Sequence, residues 1–473
     1  MMNHRLVSKA DHLTPSRIAE SARAPAELAE YHRWLSKLDE RMYTRAERTP
    51  LDALTGWHTE PDTGNIRHDS GKFFTVEGLD VHMPDGPVTR WRQPIIYQPE
   101  IGILGILVKE FGGVLHCLMQ AKAEPGNCGG LQLAPTVQAT RSNYTRVHGG
   151  KHVSYLDYFR DTARHSVIAD VRQSEQGSWF KHKRNRNMVV EVTEDVELLA
   201  GFCWLTLSQV HRLFQLDNAI TMDARTVLSC LPFAGTGLSA VFPPNGDEFR
   251  SALLRSYDKD EGSLHSTDDI LSWVTESRTR TDVYTRRVAL LDAWGWHRAD
   301  GRICHERGLY FDVIGLSVTA DGREVNSWTQ PMIEPHGVGV VAFLAQVIDG
   351  VTHVLVHARA EPGFVDAIEL APTVQCIPEN FDRMPQARPL FLDYVLGAKP
   401  EQIRFDTELS EEGGRFYHAR NRYMVIETDI DADVDHPDFR WMPLHQLVDL
   451  LRHSYYLNVQ ARSLVACLHS LSG

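Results

Sequence analysis

Two long apolar runs joined by a glycine pair stand out in the first half of the chain. Ile101–Phe111 (IGILGILVKEF) leads into Gly112-Gly113 and then into Val114–Gly126 (VLHCLMQAKAEPG). Apolar runs of this length bounded by turn residues read as buried strands, and the pair between them as the turn of a β-hairpin. A second hairpin of the same kind is written around Asp349-Gly350, after the apolar run Val338–Ile348. Helical spacing takes over toward the end of each half. Leu444, Leu447, Val448 and Leu451 recur at that spacing, as do Leu464, Cys467, Leu468 and Leu471, and Leu207, Val210 and Phe214 echo the first set. These stripes predict helices that face a core. The class expected is α+β, a mixed sheet with flanking helices.

The two hairpins belong to a longer repeat. LAPTVQATRSNY (Leu133–Tyr144) returns as LAPTVQCIPENF (Leu370–Phe381), with Ala134 falling on Ala371 at an offset of 237. At that offset RWRQPII from Arg90 meets SWTQPMI from Ser327, and AKAEPG from Ala121 meets ARAEPG from Ala358. With one residue of slippage SEQGSWFKHKRNRNMVVE from Ser174 meets SEEGGRFYHARNRYMVIE from Ser410, and RTVLSCL from Arg225 matches RSLVACL from Arg462. Self-similarity on this scale marks a tandem duplication, and copies of about 200 residues are each large enough to own a core. The organisation expected is an N-terminal segment 1–32, a first copy 33–232, a Gly-, Pro- and charge-rich linker 233–268 with room for one helix, and a second copy 269–473.

Totals narrow the partners. With 42% hydrophobic residues the chain can bury sizeable cores, and 62 acidic against 49 basic residues, a net charge of -13, would repel a nucleic acid. No apolar run approaches the roughly 20 residues that span a bilayer, and the N-terminus has no signal-peptide apolar segment, so a cytoplasmic site without membrane contact is expected. Seven cysteines without a C-x-x-C pair form neither a disulfide framework nor a zinc ribbon, and Cys230 and Cys467 read as buried reduced thiols.

Candidate chemistry collects in three places. In the segment after Ser-Glu-x-Gly, strand alternation would put His182, Arg184 and Arg186 on one face, with His418, Arg420 and Arg422 repeating the pattern. Paired guanidinium forks suit a diphosphate; the structural reading is an ion pair with Glu191 or Glu427. Pro135 and Pro372 should stop the strand before them, so that a loop or helix start comes next. That loop would offer Thr136, Gln138, Thr140 and Asn143, with Tyr144 as an aromatic plane, and Gln375, Asn380 and Phe381 in the second copy. Trp57, Trp91, Trp296 and Trp328 would add stacking surfaces, each of which could equally be core. Glu124 and Glu361, inside E-P-G, could act as general bases or could sit in ion pairs with Lys122 and Arg359. ELSEEGG (Glu408–Gly414) superficially looks like a Nudix metal helix, but its counterpart RQSEQGS (Arg172–Ser178) does not keep the motif, so no metal site is expected.

Together WRQPI, AKAEPGN, LAPTVQATRSNY, SEEGGRFYHARNRYMV and ARSLVACL resemble the NDP-hexose 2,3-dehydratases, in particular those acting on dTDP-4-keto-6-deoxyglucose for vancosamine-type sugars of antibiotics. The resemblance covers nearly all of the chain. It implies tandem Nudix-like α/β/α domains, a homodimer, a dTDP-sugar pocket with each copy, and elimination of the C2 hydroxyl without any cofactor. For that reaction Glu124 or His148 is expected as base, Tyr144 or Lys122 as aid to the enolate or leaving hydroxyl, and Ser178, Arg184 and Arg186 at the phosphates. Arg141 and Ser142 join the first pocket, and Arg359, Glu361, Arg415, Arg420 and Arg422 the second. The first copy holds Lys122, Asn127, Arg141, Tyr144 and His148 where the second has Arg359, Phe364, Pro378, Phe381 and Pro385, which favours the first as the reacting pocket. A metal-dependent Nudix-type hydrolase and a non-catalytic nucleotide-sugar binding protein are the alternatives.

Overall fold

Both hairpin turns form as their dipeptides demand in the computed structural model, which describes residues 14–140, 153–235, 238–242, 246–321, 325–431, 434 and 436–472. Gly112 and Gly113 take φ of 57° and 85°, and Asp349 and Gly350 take 50° and 81°. Positive φ at both central residues gives the turn whose twist matches the strands it joins.

The first copy supplies β1 (Thr44–Thr49), β2 (Trp57–Thr59), β3 (Ile66–His68), β4 (Thr75–His82), β5 (Arg90–Tyr97), β6 (Gly102–Phe111), β7 (Val114–Lys122), β8 (Gln132–Ala134), β9 (Val137–Ala139), β10 (Ser166–Ser174), β11 (Phe180–Lys181), β12 (Arg184–Glu191) and β13 (Phe202–Thr206). The second supplies β14 (Tyr284–Val288), β15 (Trp296–Ala299), β16 (Arg302–His305), β17 (Phe311–Ala320), β18 (Ser327–Pro335), β19 (Gly339–Ile348), β20 (Val351–Ala360), β21 (Ile368–Ala371), β22 (Val374–Cys376), β23 (Ile403–Ser410), β24 (Arg420–Glu427) and β25 (Phe439–Pro443). Each copy builds a mixed sheet on its hairpin, in the order β10-β12-β6-β7-β13 and again β23-β24-β19-β20-β25. In both, the strand from the repeated Arg-Asn-Arg segment runs parallel to the first hairpin strand.

The repeated P-T-V-Q marks a fork in each hairpin. β6 and β7 pair from Phe111 and Val114 back to Leu107 and Leu118, then diverge, and β8 continues along β7 while β9 continues along β6. Pro135 ends β8 as expected. The chain then enters a further short strand, not the expected loop or helix start, because the Thr136 hydroxyl bridges the fork. It accepts the Leu107 N–H at 2.9 Å and donates to the Leu118 carbonyl at 2.5 Å. Thr373 accepts the Leu344 N–H at 3.0 Å and donates to the Leu355 carbonyl in the second copy. Pro and Thr recur because the fork recurs.

The copies exchange strands. β1 of the first pairs with β17 of the second, and β14 of the second pairs with β4 of the first. Two further sheets result, one of β11-β5-β4-β3-β2 with β14 added, the other of β18-β17-β16-β15 with β1 added. Trp57 donates its indole N–H to the Thr329 carbonyl at 2.8 Å and Trp296 to the Arg92 carbonyl at 2.9 Å, fastening the exchange from both sides.

Core ownership departs from expectation for the same reason. One large apolar cluster joins Val210, Phe214 and Val227 to Val354, Leu447 and Leu464, and another joins Phe74 and Phe180 to Phe311 and Phe416. Smaller clusters, such as those around Leu107 and Phe159 and around Leu344 and Trp441, belong to single copies. The segment expected as a linker with one helix carries the helix Glu248–Ser256 and buries Phe233, Phe242, Leu253 and Tyr257 in the shared cluster.

Arg225 and Arg462, both fully buried, cross between the copies. Arg225 donates to the Ser410 carbonyl at 2.9 Å, and Arg462 donates to the Ser174 carbonyl at 2.5 Å. A guanidinium offers several donors in a rigid fork, so each holds its own helix start and the other copy's S-E-x-G turn together.

Candidate functional site

The E-P-G end of each hairpin docks on the S-E-x-G turn of the opposite copy. Gly126 donates its N–H to the Gly413 carbonyl at 2.8 Å and accepts the His418 N–H at 2.9 Å; Gly363 accepts the His182 N–H at 2.8 Å. A Cβ on Gly126 would lie 1.8 Å from the Phe416 carbonyl oxygen, and one on Gly363 would lie 1.8 Å from that of Phe180. Glycine is required at both places. His182 and His418 have φ of 53° and 51°, a left-handed kink where the chain leaves one sheet for another. The continuous strand expected through His182, Arg184 and Arg186 is therefore broken, with β11 ending at Lys181 and β12 beginning at Arg184.

The docking creates two quasi-equivalent junctions, and they differ in chemistry. At the first, Lys122 Nζ lies 3.1 Å from Glu124 Oε1 and donates to Gln138 Oε1 at 2.6 Å, while Gln138 Nε2 donates to Glu124 Oε1 at 3.2 Å. The turn opposite brings Glu412 and Arg415. Asp223, in the first turn of the helix Met222–Leu228, and Glu175 and Lys183 of the first copy complete a buried group of charges. Burial chiefly, then the neighbouring acids, raises Asp223 well above the ordinary carboxylate range. Burial also lifts Glu412 to about 8, with Arg415 opposing and Glu124 and Asp223 adding, and Glu175 to about 7, with Arg462 opposing and Glu412 adding. The Lys183 ammonium, desolvated, falls to about 8. Groups tuned toward neutrality beside one another are the usual setting for proton transfer.

At the second junction Arg359 Nε and Gln375 Nε2 both donate to Glu361 Oε1, at 2.9 and 3.0 Å. Most of the ionisable groups have been replaced around this pair. By the alignment of the copies, Asp223, Lys183, Glu412, Arg415 and Asn127 are answered by Gln460, Ala419, Gln176, Trp179 and Phe364. One acid is gained, Glu369 in place of Gln132, and it accepts the Ser174 hydroxyl at 2.5 Å. The first junction is thus the one that gathers several carboxyls with their cations beside the E-P-G glutamate. A cleft of about 390 Å³ opens on it, lined by Thr44, Arg45, Glu124, Asn127, Tyr417 and His418, with the last two rings stacked at 4.0 Å.

The other expected site residues fall out variously. Arg186 forms a two-pronged pair with Asp170, both bonds 2.6 Å, and Arg422 pairs with Asp406; Arg420 pairs with Glu408. Aspartates across the strand, rather than Glu191 or Glu427, pair with Arg186 and Arg422. Arg184 is half-buried next to His182, whose pKa burial lowers to about 4. Trp91 and Trp328 donate to Gln93 and Gln330, whose amides donate in turn to the carbonyls of Ser178 and Gly414. The four tryptophans thus brace the turns and the strand exchange through their indole N–H groups. Arg415 lies over the Phe74 ring at 4.4 Å, and Asn380 accepts the Tyr310 N–H. Phe381 and Thr140 are half-buried. Arg141, Ser142, Asn143, Tyr144 and His148 lie outside the described residues.

Asp223, Glu175, Lys183 and Glu412 belong to the first junction's group of charges, and motif reading passes over them. Their signal in the sequence is the set of positions where the copies disagree in charge: Asp223 against Gln460, Lys183 against Ala419, Glu412 against Gln176. Among the described residues no three His, Cys, Asp or Glu side chains are placed to hold a metal ion, and no helix is long and apolar enough to cross a membrane.

A family model described as NDP-hexose 2,3-dehydratase matches residues 28–231 and 267–468. A Saccharopolyspora spinosa protein named dTDP-4-dehydro-6-deoxy-alpha-D-glucopyranose 2,3-dehydratase is 52% identical over 445 residues, 93% of this chain and 91% of its own length. Proteins of the same name from Amycolatopsis orientalis and Streptomyces violaceoruber are 48% and 49% identical, covering 92% and 94% of this chain and 89% and 97% of their own lengths.

Proposed function

The chain belongs to the NDP-hexose 2,3-dehydratase family, and from that premise we propose that it dehydrates dTDP-4-keto-6-deoxy-D-glucose across C2 and C3, giving the 3,4-diketo-2,6-dideoxy sugar. The observation that carries the choice of site is the Lys122–Glu124–Gln138 arrangement within a buried acid–base group that the second junction lacks.

The C4 ketone acidifies the C3–H bond. Glu124, oriented by the Gln138 amide, takes that proton, and Lys122 steadies the enolate that forms. The electron pair then expels the C2 hydroxyl, which leaves as water after gaining a proton, and the resulting 2,3-enol passes its hydroxyl proton to solvent as C2 gains one. Oxidation level rises at C3 and falls at C2, so the stoichiometry calls for no hydride carrier. A positioned carboxylate base supplies about 10² to 10⁴ of such a rate, and holding the C3 proton against it supplies more. The stacked Tyr417 and His418 rings give the nucleotide a flat wall beside Glu124.

The same reading extends to Nudix-like α/β/α layering of each copy, to a homodimer, to a nucleotide-sugar pocket with each copy of which the first reacts, and to a cytoplasmic site. Incubation with dTDP-4-keto-6-deoxyglucose under EDTA, followed by mass and NMR, tests the reaction. Loss of one water with dTDP retained is the expected result. Metal-dependent release of dTMP would replace it with a Nudix-type hydrolase, and binding without turnover would make the chain a nucleotide-sugar carrier.

A further inference from the structure

The quasi-two-fold relation between the copies pairs a residue of one turn with a residue of the other, twice. On one side Gln176 Nε2 donates to Glu411 Oε2 at 2.6 Å. The alignment makes Glu175 the counterpart of Glu411 and Glu412 the counterpart of Gln176, and on this other side Glu412 acts on Glu175 as a neighbouring like charge. An amide donating to a carboxylate has become two carboxyls. Glu175 is 4% exposed, its Oε1 accepts the Asn185 amide at 2.6 Å, and its Oε2 is shut off from solvent with no hydrogen-bond partner among the described residues. Glu412 is half-buried as a residue, yet its Oε2 is likewise buried and unpartnered among the described residues, while its Oε1 accepts the Gly414 N–H at 3.1 Å. Two facing carboxylates in this setting cannot both ionise, and one proton between them supplies the donor that Gln176 supplies opposite. A Cβ on Gly414 would be 2.4 Å from Glu412 Oε1 and 3.8 Å from Glu124 Oε1, so this pair adjoins the base.

We propose that Glu412, holding a proton shared with Glu175, is the acid of the dehydration: it protonates the departing C2 hydroxyl while Glu124 takes the C3 proton. This rests on the dehydratase reading. The C3–H electron pair becomes the enolate, the C2–O bond breaks with its electrons on oxygen, and that oxygen leaves as water with the Glu412 proton. The proton now on Glu124 passes to Glu412, and both groups are restored. Arg415 and Lys183 on one side, and Glu124 and Asp223 on the other, are the charged groups facing Glu412; Arg462 and Lys183 face Glu175. The chemistry thus joins a base from the first copy to an acid from the second.

The test separates the two halves of the reaction by running it in D2O and following C3–H exchange into the substrate apart from loss of the C2 hydroxyl. Glu412→Gln copies the Gln176 arrangement, so it should fold with a thermal midpoint at or above that of the parent chain. Its exchange should persist, while elimination falls by about 10²-fold or more. Glu124→Gln should lose both. Glu175→Gln donates to Glu412 and favours its ionised form, so the loss of activity with rising pH should begin at lower pH than in the parent chain. Elimination by Glu412→Gln at the parent rate, or exchange and elimination falling together in the folded variant, overturns the proposal while leaving the dehydratase reading in place. A parent chain that leaves the C2 hydroxyl untouched overturns both.

Discussion

Thr136→Val tests the claim that the repeated P-T-V-Q is first a device of the fold. Valine matches threonine in shape, so no cavity opens, and the change removes only a hydroxyl that serves two backbone groups. The Leu107 N–H and the Leu118 carbonyl lose their partner, and both residues are 0% exposed, so water cannot replace it. An orphaned buried group costs about 1–3 kcal/mol, which puts the variant about 2–6 kcal/mol below the parent chain. Thr136→Ser keeps both bonds and loses one methyl, at about 1 kcal/mol. Urea unfolding of the two variants side by side reads the difference, since effects on the unfolded chain largely cancel between them. Because β9 starts at the next residue and carries Gln138, folded Thr136→Val should also lose turnover as Glu124 loses its orienting amide. Thr373→Val should match the stability loss without the same loss of turnover. If valine and serine at 136 unfold within about 0.5 kcal/mol of each other, the fork is not held by the hydroxyl.

The geometry makes three further outcomes measurable. Glu124→Gln should lower kcat by about 10² to 10⁴, while Glu361→Gln leaves kcat near that of the parent chain; steady-state kinetics with the sugar nucleotide reverses the choice of junction if the two swap roles. Gly126→Ala must push a Cβ away from a position 1.8 Å from the Phe416 carbonyl oxygen, so its thermal midpoint should drop clearly, and an unchanged midpoint refutes the close docking of E-P-G. Burial raises Glu175 to about 7 and Glu412 to about 8, from 4.5 in both cases, so the folded chain holds more protons than the unfolded one above pH 4.5. The stability this pair contributes is therefore complete below about 4.5 and is lost as pH rises through about 7 to 8. Thermal midpoints across that window should fall more steeply for the parent chain than for Glu412→Gln, and equal slopes would refute the protonated pair.

The hairpins, the helical stripes and the duplication were legible because each rests on local signals: a turn dipeptide, an apolar period, a recurring motif. The strand exchange was not, since β1 and β14 carry charged, half-exposed sequences (TRAERT and YTRRV) that name no partner. Trp57 and Trp296 were ambiguous for the same reason, as an indole N–H aimed at another copy's carbonyl looks no different in sequence from one aimed at a ligand. The partners of Arg186 and Arg422 were not legible because the aspartates that pair with them, Asp170 and Asp406, lie on a neighbouring strand. Glu124 and Lys122 were legible as an E-P-G carboxylate with a cation two residues away, whereas Asp223 sits in a helix start that reads as ordinary core.

Interleaving changes what divergence between the copies can do. Each junction takes its hairpin from one copy and its turn from the other, so a substitution in the second copy's turn alters the first copy's site and leaves its own hairpin alone. Gln176 donates to Glu411 in an amide–carboxylate bond that braces the structure; on the proposal above, Glu412 and Glu175 hold a proton in its place. On that proposal, one exchange of amide for acid separates a bracing contact from a proton store. The same division runs through Asp223 against Gln460 and Lys183 against Ala419, all drawing charge to the junction that contains Glu124. With Glu124 as the proposed base and Glu412 as the proposed acid, neither copy in isolation holds both, so separately expressed halves should eliminate water only when mixed under conditions where β1 and β14 can exchange. Turnover by the first half alone would show that its own residues suffice and that the second copy's turn contributes only packing.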